Sequence, residues 1–127
     1  MQRRIFLSSA LIGTLLSLPR LSRSADAPRE VRVAVIGDST VCEYPAASNI
    51  RGWGHFLAPA FQPHVRVINL AQSGRSTKTF IKEGLWVKTL AEKPDFVLIQ
   101  FGHNDSHAKD RPESTDAATD YREFLRR

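Results

Sequence analysis

A serine, a glycine and an asparagine, each just after a β-branched apolar run, have the types and spacing for acyl-transfer chemistry. Ser39 lies in "GDST", Gly74 in "AQSGRST" and Asn104 in "GHND". Ester cleavage passes through a tetrahedral intermediate whose oxygen carries negative charge, and N–H donors held ready around that oxygen supply much of the rate. The Ser39 hydroxyl is the candidate nucleophile, and its backbone N–H is a candidate donor at a strand-to-loop turn. Gly74 has no Cβ, so its N–H can come close to a substrate. The Asn104 side chain adds an amide donor that stays neutral at any working pH.

An alternation of elements must bring these residues together. Val31 to Ile36, Val65 to Ala71 and Phe96 to Phe101 are apolar, β-branched runs that predict strands. Between the first two, Trp53 to Phe61 places Trp53, Phe56, Leu57, Ala60 and Phe61 at helical spacing. Between the last two, Lys78 to Glu92 reads as helix, broken into two pieces at Gly84. Strand, helix, strand, helix, strand predicts an α/β fold with a parallel sheet and right-handed crossovers. Loops leaving the carboxyl ends of parallel strands gather on one edge, where ligands bind near the switch in strand order. Ser39 and Gly74 are 35 residues apart and Gly74 and Asn104 are 30 apart, which suits one repeat each. "FVLIQF" is nearly continuous in apolar side chains, as in a strand covered on both faces. Ala117 to Arg127 is a last amphipathic stretch, with Asp116 as its expected N-cap.

The three blocks "GDST", the glycine of "NLAQSGRST" and "FGHND" resemble those of the SGNH/GDSL hydrolase superfamily. The flanking "RGWGHFL", "GRSTKTFIKEGLW" and "KPDFVLIQFGHND" are similar to its rhamnogalacturonan acetylesterase branch. The resemblance spans Val31 to Asp105, and three linked blocks at these spacings are far more specific than GDS alone. It implies a three-layer, flavodoxin-like parallel sheet of order 2-1-3-4-5, of which this chain supplies about three of the five strands. It also implies that Ser39 is the nucleophile, that Ser39, Gly74 and Asn104 form the oxyanion hole, and that acetyl groups are removed from pectic polysaccharide without a metal or cofactor.

The family's remaining block is a D-x-x-H that supplies the base and the acid that orients it. None of His55, His64, His103 and His107 has an aspartate three positions earlier. A serine without a base is a poor nucleophile at neutral pH. His103, beside Asn104, is the best local substitute, but neighbouring residues on a strand-like segment point in opposite directions. A structural or substrate-contacting role is therefore expected for it. His55 and His64 read as surface or packing residues. Asp38 is expected to stabilise its own turn, Thr40 to act as a turn hydroxyl, and Asp105 to bond the backbone of its own loop. Trp53 and Trp86 have the planar faces to stack on sugar rings, but helical spacing favours core packing.

Charge and composition exclude other classes. Residues 1 to 27 combine Arg3 and Arg4, an apolar stretch from Ile5 to Leu18 and an A-x-A site at Ala25 to Ala27, the layout of an export signal. The arginine pair followed by Ile5, Phe6 and Leu7 resembles the twin-arginine motif, so a periplasmic or extracellular location in a bacterium is expected, with no stable membrane insertion once the signal is removed. Its removal takes away four arginines and one aspartate, so the formal charge falls from +5 to +2. No Lys/Arg run exceeds two residues, which leaves a nucleic-acid partner unsupported. Cys42 is the only cysteine, so no internal disulfide can form. "SGRST" resembles the end of a phosphate-binding loop, but Arg75 stands for its lysine and Asn69 for its first glycine. The expected partner is an acetylated polysaccharide, and the alternative is a non-catalytic carbohydrate-binding remnant or a gene fragment that does not fold. In a three-strand sheet "FVLIQF" becomes an uncovered edge and an aggregation hazard.

Overall fold

Three β-branched runs pair as parallel strands, β1 (Val31–Gly37), β2 (Val65–Asn69) and β3 (Phe96–Gln100), in the order β2-β1-β3. This computed structural model describes residues 27–126. The remaining residues of the expected export signal, 1–26, lie outside the described residues. No helix among the described residues is long and apolar enough to cross a membrane. The sheet order matches the first three strands of the flavodoxin-like arrangement.

Register sets which side chains share a face. Val31 lies opposite Val65 on β2, and Val33 lies opposite Phe96 on β3. Alternation sends Val33 and Val35 to one face of β1 and Ala34 and Ile36 to the other. All four are buried, because β1 has a strand on each side and cover on both faces. Burying a valine or isoleucine side chain contributes about 1.5–3 kcal/mol, so β1 is the central core strand.

The Ile36 face is covered by α1 (Thr77–Lys82) and α2 (Leu85–Ala91). Phe80 and Leu85 meet Ile36 there, and Phe80 also packs on Phe101 with ring centroids 5.2 Å apart. A reciprocal cap starts α1: Ser76 Oγ accepts the Thr79 N–H, and Thr79 Oγ1 accepts the Ser76 N–H. Gly84 divides the two helices as expected, at φ +73°, a conformation that costs any residue with a Cβ.

The first stretch expected to be helical folds differently. Trp53 to Phe61 forms no α-helix but two 3-10 turns, Trp53–Phe56 and Ala58–Ala60. Pro59 has no N–H to continue a helix, and the Trp53 and Gly54 N–H groups are committed to the carbonyls of Thr40 and Val41. Phe56 and Phe61 are consequently exposed rather than packed. The last amphipathic stretch is also shorter than expected. Asp116 caps a turn through the N–H groups of Ala118 and Thr119, and the helix itself, α3, runs Asp120–Phe124.

β3 is an edge strand among the described residues. Its side chains alternate poorly between buried and open: Phe96 is 62% exposed and Ile99 50%. Phe96 and Ile99 lie on opposite faces, so the apolar run that suggested cover on both faces is left largely open on each, with only Val97 packed against the Phe80 core.

Candidate active site

The carboxyl ends of all three strands open onto one edge, and Ser39, Gly74 and Asn104 all lie in the loops there. β1 ends at Gly37, and the chain turns at once. Asp38 is 1% exposed; its Oδ1 accepts the Thr40 N–H at 2.9 Å and the Thr40 hydroxyl at 2.8 Å. Its carbonyl accepts the N–H groups of Val41 and Cys42. Ser39 sits at the apex of this turn, half-buried. Tyr44 Oη donates to the Ser39 carbonyl at 2.8 Å. Desolvation is the main reason the Tyr44 phenol is pushed up, and hydrogen bonding to Ser73 and Ser39 offsets part of it. The Tyr44 hydroxyl thus ties its own loop to the Ser39 turn.

The β2 loop is tied to the end of β1, since the Gln72 N–H donates to the Gly37 carbonyl at 3.0 Å. Gly74 follows at φ +77°, with open space where a Cβ would stand. Its backbone angle, rather than crowding, is what requires glycine. Asn104 is 5% exposed, and its Nδ2 donates to the Arg75 carbonyl at 2.8 Å. That bond holds the β3 loop against the residue after Gly74. An amide nitrogen carries two hydrogens, so one remains for another acceptor.

Asp105 departs from its expected role. Its carboxylate accepts the Thr77 N–H and the hydroxyls of Thr77 and Thr115, which fastens the first turn of α1 to the β3 loop. Its backbone carbonyl also accepts the Thr115 N–H, so carboxylate and carbonyl together hold the loop after β3. The orphan N–H groups at a helix start favour a carboxylate partner more than a loop amide does.

The four histidines fall into separate settings. His103 is exposed, in edge contact with the His107 ring at 5.6 Å between centroids. His107 Nδ1 bonds Glu113 Oε1 at 2.6 Å, and this bond is the first cause holding the Glu113 carboxyl below its usual range. His55 Nδ1 bonds Glu43 Oε2 at 2.6 Å, and His64 is half-buried ahead of β2. Among the described residues no histidine nitrogen bonds the Ser39 hydroxyl, and no group of three metal-ligating side chains is assembled. Trp86 is half-buried against the Phe80 core as expected, but Trp53 is 38% exposed, with its indole N–H on Gln100 Oε1. Tyr44, Gln100 and Glu113 escaped the sequence reading. Their partners lie in other elements or in irregular loops, and no motif spacing marks them.

The chain is similar to known proteins in sequence and in fold. Residues 35–127 match the model of the GDSL-like Lipase/Acylhydrolase family. The chain is 40% identical over 97 residues to "Probable rhamnogalacturonan acetylesterase YesY" of Bacillus subtilis, covering 74% of this chain and 44% of that protein. It is 36% identical over 101 residues to rhamnogalacturonan acetylesterase RhgT of the same organism, covering 76% and 41%. The crystal structure of protein YXIM from Bacillus subtilis superposes with a TM-score of 0.64 at 28% identity, over 76% of this chain and 28% of that one. The chain thus spans less than half the length of the curated relatives it matches. With the serine turn, the glycine loop and the asparagine loop gathered on one sheet edge, and the family match running through all three, this chain belongs to the GDSL-like lipase/acylhydrolase family.

Proposed function

We propose that this chain carries the nucleophile part of an exported carbohydrate esterase, one that removes acetyl groups from a pectic polysaccharide of the rhamnogalacturonan type. The observation that carries the reading is the tight Asp38–Thr40 turn, which presents Ser39 beside the loops of Gly74 and Asn104. Ser39 Oγ attacks the acetyl carbonyl, its proton passes to a base, and the carbonyl oxygen becomes an oxyanion. The N–H groups of Ser39 and Gly74 and the free hydrogen of the Asn104 amide receive that charge. Collapse expels the sugar hydroxyl and leaves an acetyl group on Ser39, which water then releases. The names of the relatives support the substrate class. The basic, then apolar, Met1–Ala27 segment supports export.

A second reading follows from the histidine settings. With no histidine bonded to Ser39 among the described residues, the same loops would hold an acetylated oligosaccharide without turning it over. Acetate release from acetylated rhamnogalacturonan separates the two. The esterase reading expects release that drops to the buffer rate in Ser39→Ala. Equal release by that variant eliminates Ser39 as nucleophile, and binding with no release favours the second reading.

A further inference from the structure

Gln100 ends β3 opposite Gly37 of β1, and it is exposed. A glutamine in that position ordinarily bonds water. Here both halves of its amide are taken by protein: Nε2 donates to Thr40 Oγ1 and Oε1 accepts the Trp53 indole N–H, each at 2.5 Å. Thr40 Oγ1 passes its own hydrogen to Asp38 Oδ1 at 2.8 Å. The two ends fix the direction of every bond, because an indole N–H only donates and a carboxylate only accepts. Gln100 must therefore turn its oxygen to Trp53 and its NH2 to Thr40, which leaves the single Thr40 hydrogen for Asp38.

We propose that Gln100 is the positioning residue for Ser39. The residue between Asp38 and Thr40 is Ser39, so a chain that fixes both neighbours also fixes the backbone from which the nucleophile departs. The chain of bonds ties that turn to the end of β3 and to the first 3-10 turn, whose Trp53 N–H also donates to the Thr40 carbonyl at 2.9 Å. Its catalytic consequence rests on the serine-esterase reading above, while its structural consequence rests on the hydrogen bonds alone. A displacement of about 1 Å at a reacting group costs on the order of 100-fold in rate.

Gln100→Glu in the full chain tests this, because it keeps size and shape at an exposed position and replaces the donor with a second acceptor. One Thr40 hydrogen cannot serve two carboxylates. The expected result is a fall in kcat for p-nitrophenyl acetate of about 10- to 100-fold with KM within about twofold. Amide exchange at Val41 and Cys42, whose N–H groups are held by the Asp38 carbonyl, should quicken about tenfold, while the β1–β2 ladder stays protected. A raised KM with kcat intact places Gln100 on the substrate instead and overturns the proposal, as does an unchanged kcat. If no form of the chain hydrolyses the ester, the esterase reading fails, and exchange alone decides: faster turn exchange upholds the positioning, and unchanged exchange overturns it. Should Gln100→Glu lose protection throughout, Trp53→Phe, which keeps the ring and removes the donor, is read in its place by the same criteria.

Discussion

Asp105 and Asp95 are acidic residues near strand ends that serve the fold in ways a motif does not reveal. Asp105 joins Thr77, 28 positions away, to the loop after β3, and no local pattern encodes a contact of that length. Asp95 precedes β3 and accepts the Arg32 N–H at 2.8 Å and Arg29 Nη2 at 2.5 Å. The backbone bond from Arg32, then the side-chain bond from Arg29, holds its carboxyl below the ordinary aspartate value of 3.8. A depressed folded-state pKa contributes stability that is complete above the unfolded value and is lost as pH falls through the folded one. Urea unfolding followed across acid pH should therefore weaken once pH drops below 3.8, and Asp95→Asn should flatten that part of the profile. An identical profile in the variant would remove Asp95 from the acid response. By contrast, the placement of Ser39, Gly74 and Asn104 in the loops after the three strands was legible in sequence, because each follows a conspicuous apolar run. Gln100 was not, since it closes such a run and its partners come from two other segments.

Elements were legible where period and punctuation agreed. The three strands, and the division of the second helical stretch at Gly84, needed only β-branched runs and one glycine. In the first stretch the apolar spacing is overridden by Pro59 and by the backbone bonds from Trp53 and Gly54 to Thr40 and Val41. Gly84 itself carries an element-level prediction. A Cβ there would meet nothing within 4 Å, so only the φ of +73° opposes it. Gly84→Ala should lower stability by about 1 kcal/mol, or about 5 °C in Tm, with the site loops unchanged by amide chemical shifts. A variant as stable as the parent would show that the α1–α2 junction relaxes freely.

Among the described residues the sheet has one interior strand, β1, and two edge strands, β2 and β3. Phe96, Leu98 and Ile99 stand exposed on β3, a flat apolar edge of the kind that templates pairing with another chain. We expect the chain to self-associate at micromolar concentration, and Phe96→Lys to reduce light scattering several-fold while far-ultraviolet dichroism is kept. Equal scattering by the variant would place the sticky surface elsewhere, for example on the apolar groove of Trp86, Ile99 and Leu125. The middle position of β1 also has a temporal meaning. It is made first in the chain, yet its neighbours are paired from Val31 to Val65 and from Val33 to Phe96, and such long loops close slowly. The bond from Gln100 to Thr40 cannot form until β3 has emerged and docked. The turn that carries Ser39 is thus synthesised early and tied down late, once β3 lies beside β1.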